Sequence, residues 1–164
     1  MCDANEDEVD EIYVGTQEVI LRWRPQGPGN PTDQWFPVGP KIGVSVRSLL
    51  DGVFMTGADR SAVRYAGTET QGLREFIDGD WSAAQGWNDA VARSNVFSLS
   101  YSQTQSLIVA TTHDAGLWYR SSDSIWRQLP EPKIVVDTVF SGDNLIVAAN
   151  DGIWVISPVA LWLR

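Results

Sequence analysis

The sequence contains one histidine, His113, and it stands directly before an aspartate, Asp114. A histidine beside a carboxylate has the residue types of a general base or of half a metal site. A zinc site needs three or four protein ligands, and the chain offers no second histidine and a single cysteine, Cys2. We therefore interpret His113 and Asp114 as solvated turn residues and predict that the protein uses no metal and no cofactor.

Four aspartates fall in predicted turns, where carboxylates of different repeats could converge on one face: Asp51, Asp59, Asp114 and Asp151. Glycoside hydrolysis needs two such carboxylates on facing elements. Aspartate is also common in turns for a local reason, because its side chain hydrogen-bonds to the nearby backbone. The chain lacks a serine nucleophile elbow, a phosphate-binding loop and a dinucleotide-binding glycine pattern. We predict that it is not an enzyme.

The charge balance restricts the classes of partner. The net charge is −9, from 21 acidic and 12 basic residues, and an acidic surface repels the phosphates of DNA, RNA and anionic membranes. Residues 1–10 hold part of this excess and are interpreted as a solvated acidic tail. The single cysteine fits a reducing compartment, and no signal-peptide pattern or long apolar run is present. We expect a cytoplasmic protein without membrane insertion, with a lipoprotein or exported origin as the open alternative.

The elements that carry the turns become visible from Asn95 to Ser157, where one pattern occurs twice. The runs SLIVATT and GLWYRS of the first pass correspond to NLIVAAN and GIWVIS of the second. Each run is rich in β-branched and aromatic residues and is bounded by Gly, Asp, Asn or Ser, as antiparallel strands joined by tight turns are. Matching Val109 with Val147 gives a period of 38 residues. A four-stranded unit of about 40 to 45 residues is typical of a β-propeller blade.

Extended through the chain, this pattern predicts an all-β, β-propeller-like domain at 11–164. It contains about four blades of four antiparallel strands, near residues 11–43, 44–94, 95–133 and 134–164. In blade two we expect the first strands near 44–50 and 53–57, with Asp51-Gly52 between them. The third strand of that blade is ambiguous, because AVRYAGT at 62–68 and GLREFI at 72–77 both fit it. The residues at 85–93 are interpreted as an insertion.

Two sets of apolar residues are predicted to be buried. One tryptophan stands in or near the last strand of each blade, and such a ring can fill the wedge between twisted sheets. These residues are Trp35, Trp81, Trp126 and Trp162. Alternation with a period of two also predicts a buried face in blade two. Its members are Val44, Val46, Leu49, Val53 and Met55.

The segment SLIVATTHDAGLWYRSSDSIWRQLP at 106–130 resembles the repeats of several β-propeller families. EIYVGT at 11–16 and NLIVAANDGIWVIS at 144–157 resemble them more faintly. These families are the assembly-factor propellers of photosynthetic membranes, the sortilin ectodomain, the bacterial-neuraminidase repeat proteins and the sensor propellers of two-component regulators. The neuraminidase aspartate box is degenerate here, since Trp126 follows Asp123 without glycines, and no blade ends in the dipeptide of the tryptophan-aspartate repeats. The resemblance implies a propeller repeat protein without a close match to one family.

The lack of catalytic motifs favours a non-catalytic binding or scaffolding propeller with a protein as its partner. We predict docking on the face formed by the turns after the second strands and by the connections between blades. The candidate binding residues there are Asp59, Arg60, Trp87, His113, Asp114, Asn150 and Asp151, with Gln17 and Glu18 in the first turn. The alternatives are a carbohydrate-recognising or carbohydrate-cleaving propeller that stacks a sugar on Trp87, and the sensor fragment of a larger protein.

Strand counting adds a prediction about assembly. Blade one begins with EIYVGT, which corresponds to a second strand, and so lacks an inner strand. An open propeller leaves apolar faces and strand edges in water, and association removes that exposure. We expect a homo-oligomer or the remainder of a larger propeller to supply further blades, and two copies would make an eight-bladed ring.

Overall fold

The computed structural model describes residues 12–24, 34–56, 59–87, 93–121 and 125–157, and of residues 24, 34, 51–56 and 59–63 the backbone only. Within these ranges the chain forms four antiparallel sheets that follow one another along the sequence, and each sheet pairs its strands in chain order. These sheets confirm the all-β, propeller-like fold. None of the described residues belongs to a helix long and apolar enough to cross a bilayer.

Each sheet forms one blade, and the strands are short except for the first hairpin of blade two. Blade one contains β1 (Ile12–Gly15), β2 (Ile20–Arg24) and β3 (Gln34–Pro37). Blade two contains β4 (Val46–Thr56), β5 (Asp59–Thr68), β6 (Leu73–Ile77) and β7 (Asp80–Ala83). Blade three contains β8 (Val96–Ser102), β9 (Leu107–Thr112), β10 (Gly116–Arg120) and β11 (Trp126–Leu129). Blade four contains β12 (Val135–Ser141), β13 (Asn144–Ala149) and β14 (Gly152–Ile156). Residues 1–10 and Trp162 lie outside the described residues.

Blade two departs from the predicted register. Its first strand continues through Asp51 and Gly52, which pair with Arg64 and Val63 instead of turning. AVRYAGT therefore belongs to the second strand and GLREFI to the third, and no hairpin is inserted. The reason is that an Asp-Gly dipeptide is only a local turn signal. Continuous pairing of two long strands gives hydrogen-bond partners to the backbone groups that face each other across the hairpin.

The turn predicted at Asp78-Gly79 is confirmed. Both residues have positive φ, 52° and 88°, as the two central residues of a type I′ hairpin turn do. Glycine and aspartate accept this conformation more readily than most residues. The turn brings Trp81 opposite Phe76 on the neighbouring strand, with ring centroids 4.9 Å apart.

The core lies between blades, because side chains alternate along each strand and every sheet therefore places apolar residues on two faces. We call the face toward the preceding blade the leading face and the face toward the following blade the trailing face. In blade three the leading face carries Ile108, Ala110, Trp118 and Trp126, which pack against blade two. Its trailing face carries Leu107, Val109, Leu117, Tyr119 and Leu129, which pack against Val135, Leu145 and Val147 of blade four. Blade one meets blade two through Ile20, Val38, Ala66 and Trp81.

The predicted burial of the periodic tryptophans is confirmed in the two middle blades. Trp81 donates its indole N–H to the Val38 carbonyl of blade one at 2.8 Å, and Trp126 meets Tyr65 of blade two edge to face at 6.3 Å. Trp35 is exposed instead, so that prediction is wrong for the isolated chain. The physical reason is that Trp35 lies in blade one, and no described blade precedes it.

The predicted apolar face of blade two is only half-buried where it is described. Val44, Val46 and Leu49 pack against the cluster between blades one and two without being fully covered. The side chains of Val53 and Met55 lie outside the described part of the chain.

Candidate binding face

A repeated backbone hydrogen bond gathers the turns after the second strands at one end of the blades. The first turn residue donates its N–H to a carbonyl just before the first strand of the same blade: Glu69 to Ser45, His113 to Asn95 and Asn150 to Ile134, at 3.0, 3.1 and 3.2 Å. Each turn is thereby held beside the connection that enters its blade. We call this end of the protein the turn face. It comprises the turns 16–19, 69–72, 113–115 and 150–151 and the connections 38–45, 84–87, 93–95 and 130–134.

A threonine builds this turn in the first three blades, and it is Thr16 after β1, Thr68 at the end of β5 and Thr112 at the end of β9. Thr112 donates its hydroxyl to the Gly116 carbonyl at 2.9 Å and accepts the Ala115 N–H at 3.1 Å. Thr68 makes the same pair of bonds in blade two, to Gly72 and from Gln71. Such local bonds satisfy the turn backbone internally. The remaining turn side chains are left to face solvent.

Thr112→Val is expected to lower the free energy of unfolding by about 1–2 kcal/mol, because a buried carbonyl and N–H lose their shared partner at nearly constant volume. Urea denaturation monitored by tryptophan fluorescence measures the change. Thr70→Val, at an exposed position of the equivalent turn in blade two, is the matched control and should leave the midpoint unchanged. An equal loss in both variants would contradict the capping role of Thr112.

Ion pairs and backbone bonds hold the turn face together within blade one and within blade two. The Glu18 carbonyl accepts the N–H groups of Ile42 and Gly43, and its carboxylate lies 2.7 Å from Lys41 Nζ. Arg47 and Glu69 form a second exposed pair at 2.5 Å. The hydrogen bond from Lys41 and then its charge lower the pKa of Glu18. Hydrogen bonds from Arg47 and Ser45, and then the Arg47 charge, lower the pKa of Glu69. Both carboxylates are ionised at neutral pH.

Every turn of this face presents one carboxylate: Glu18, Glu69, Asp114 and Asp151. Asp151 accepts the indole N–H of Trp154 at 2.9 Å. His113 is exposed, with its ring 5.7 Å from that of Phe97. The arrangement can accept hydrogen bonds and attract cations. Within the described ranges no three His, Cys, Asp or Glu side chains are grouped closely enough to hold a metal ion.

Four of the predicted binding residues lie on the turn face as expected: His113, Asp114, Asn150 and Asp151 are all exposed there. Gln17 and Glu18 are exposed in the equivalent turn of blade one. Whether these residues bind a partner stays a prediction.

Asp59 and Arg60 do not lie on the turn face. They begin β5, whereas the turn face adjoins Thr68 at the other end of that strand. The error follows from the register of blade two, and Glu69, Thr70 and Gln71 occupy the place assigned to them. A signal for the correct register was present, because Tyr13-Val14-Gly15-Thr16 and Tyr65-Ala66-Gly67-Thr68 share a Tyr-x-Gly-Thr pattern.

Trp87 is also wrongly placed by the sequence interpretation, because its ring is in the core. It is 7% exposed and packs between Trp118 and Trp126, with centroids 5.6 and 5.0 Å away. Aromatic rings favour edge-to-face contact because the positive edge of one ring meets the negative face of the other, and the near-perpendicular contact with Trp126 has this geometry. Trp87 therefore offers no surface on which a sugar ring could stack.

A polar cluster crosses the interface between blades two and three. Tyr65 donates its hydroxyl to Glu75 Oε1 at 2.8 Å, and Arg120 donates to the Tyr65 oxygen from the facing blade. The second oxygen of Glu75 accepts the Gln85 N–H at 3.0 Å. Burial, and then the neighbouring Glu75 charge, raise the pKa of Tyr65 far above its usual value. The cluster is buried and mutually satisfied, so it holds the blades together and has no access to a substrate.

No family model matches the sequence, and no curated protein matches it. Solved structures do. The chain is similar to the computationally designed Ika4 protein, with a TM-score of 0.63, 14% identity, and coverage of 90% of this chain and 84% of that one. It is similar to the extracellular domain of the hybrid two component system BT4673 from B. thetaiotaomicron, with a TM-score of 0.64, 15% identity, and coverage of 89% and 20%. It is also similar to Saccharomyces cerevisiae Sqt1, with a TM-score of 0.58, 15% identity, and coverage of 93% and 44%.

These likenesses concern the fold alone, because all three identities are low. The chain spans most of the designed protein and less than half of the other two chains. The repeated four-sheet architecture is therefore an arrangement that occurs in other solved proteins.

Proposed function

We propose that this protein is a non-catalytic binding or scaffolding β-propeller and that a protein partner docks on its turn face. The observation that carries the proposal is the repeated anchoring of the turns at Glu69, His113 and Asn150. The anchoring holds the backbone of successive blades at one end, and the exposed polar side chains there form a preorganised surface. Preorganised turns on a rigid scaffold lose little conformational entropy on binding.

The charge of this surface indicates the chemistry of the partner. Asp114 and Asp151 are exposed, and among the described residues neither forms an ion pair with a base. The net charge of −9 attracts cationic surfaces at long range. A partner that presents lysine or arginine side chains would gain both faster encounter and hydrogen bonds at the turns.

Charge reversal tests the docking surface. Asp114→Lys combined with Asp151→Lys is expected to reduce strongly the amount of a partner protein that co-purifies with the wild-type protein. Quantitative mass spectrometry measures that amount. Asp78→Lys combined with Asp143→Lys is the matched control, since these exposed turn aspartates lie at the opposite end of the blades. Loss of the partner in the control and retention in the turn-face variant would contradict the proposal.

The carbohydrate alternative has less support, because its stacking platform, Trp87, is buried. A glycan array and a hydrolysis screen over glycoside, ester and phosphate substrates distinguish the two functions. Turnover that disappears in Asp114→Asn or Asp151→Asn would overturn the non-catalytic proposal.

A further inference from the structure

The leading face of blade one is apolar, and no other described blade packs on it. Its cross-strand partners place Ile12 beside Trp23 and Val14 beside Leu21, and Trp23 is flanked on its other side by Trp35. The five side chains therefore share one face of a three-stranded sheet. Trp35 is 47% exposed, and Ile12 and Val14 are also exposed.

The trailing face of blade four is apolar as well, and it too has no described blade packed on it. Val139, Ile146 and Val155 lie directly opposite one another on three neighbouring strands, and Ala148 pairs with Ile153 beside them. Val155 is 65% and Ile153 is 71% exposed. Four β-branched residues thus form a continuous patch, unlike the scattered apolar residues of an ordinary surface.

The same positions are buried in the middle of the chain. On leading faces, Trp81 and Trp126 stand where Trp35 stands in blade one, and both are covered by the preceding blade. On the trailing face of blade three, Val109 and Leu117 are completely buried by blade four. The two end faces therefore have the composition of a blade-to-blade interface, but within one chain they do not cover each other.

We propose that a second copy of this chain covers both end faces. The trailing face of blade four packs on the leading face of blade one in the other copy, and the reciprocal contact closes a ring of eight blades with twofold symmetry. A second copy fits because it carries the aromatic face and the aliphatic face together, so two identical junctions bury all four faces. Eight blades lie within the range that closed propellers adopt. Contact between unlike faces is heterologous, and two copies close it without leaving a free end.

The assembly is tested by sedimentation equilibrium, which should give about twice the 18.1 kDa of one chain. Val14→Glu on blade one and Val155→Glu on blade four should each weaken self-association at least about thirtyfold, as loss of a central interface residue does. Ile77→Glu is the control, because this exposed isoleucine lies on neither end face. An equimolar mixture of Val14→Glu and Val155→Glu should associate more strongly than either alone, since one junction in the mixed dimer is unaltered.

The thermal transition and far-UV circular dichroism of each variant establish that it is folded. If a glutamate variant does not fold, Val14→Ser or Val155→Ser is measured in its place. A monomeric wild-type protein at high concentration overturns the proposal. So does dissociation by Val155→Glu but not by Val14→Glu, which would mean that blade four pairs with itself. Concentration-dependent growth beyond the dimer would also overturn it, because the contact would then be open-ended.

Discussion

Glu75→Ala is expected to lower the free energy of unfolding by about 3–5 kcal/mol, the usual cost of breaking a buried ion pair. Glu75 on blade two and Arg120 on blade three are both buried, 3.6 Å apart. Removal of the carboxylate leaves the Arg120 charge among aromatic rings without a counter-ion and takes the acceptor from the Tyr65 hydroxyl. Urea denaturation measures the loss.

Glu69→Ala is the matched control for this prediction. Glu69 also pairs with an arginine, Arg47, but the two side chains are 41% and 42% exposed to solvent. Solvent screens such a pair, so the unfolding midpoint should hardly change. Glu75→Gln keeps an acceptor for Tyr65, so its loss of unfolding free energy should lie between those of Glu69→Ala and Glu75→Ala. A loss in Glu69→Ala as large as in Glu75→Ala would show that burial does not set the cost.

Gly67→Val is expected to cost roughly 2–3 kcal/mol, because it overpacks the contact between blades two and three. A Cβ at this position would lie 2.8 Å from both Cγ1 and the carbonyl oxygen of Val96, and closer still to the Ser48 hydroxyl. Favourable carbon contacts need about 3.5–4.0 Å, so the blades would have to move apart. Thermal unfolding followed by circular dichroism measures the effect.

Ala148→Val is the control. Ala148 corresponds to Gly67 by strand pairing, since each is the second residue from the end of the pairing with the first strand of its blade, and no described blade covers the face of Ala148. Measured in dilute solution, it should leave the transition temperature unchanged. If Ala148→Val destabilised the protein as much as Gly67→Val does, strand propensity and not contact with the next blade would be the cause.

The sequence by itself determined the fold class, the four-sheet repeat and the turns at His113 and Asn150. This was possible because each of those turns separates two short apolar runs, and a strand-turn-strand pattern is encoded by neighbouring residues. Blade two was assigned wrongly where local signals competed, since Asp51-Gly52 has the residues of a hairpin turn but lies inside a strand. The long pairing of β4 with β5 decided that Asp51-Gly52 continues a strand and does not form a turn. The length of such a pairing is a property of two strands together.

Only the tertiary structure decided which of the apolar residues are covered. Trp35 and Trp81 lie on equivalent faces of neighbouring blades, yet Trp81 is buried under blade one and Trp35 is exposed. Trp87 was predicted in an exposed connection, but two tryptophans from blade three enclose it. The burial of a face depends on whether another blade packs against it. Because the repeat has the same residue pattern in every blade, the sequence alone does not show which faces another blade covers.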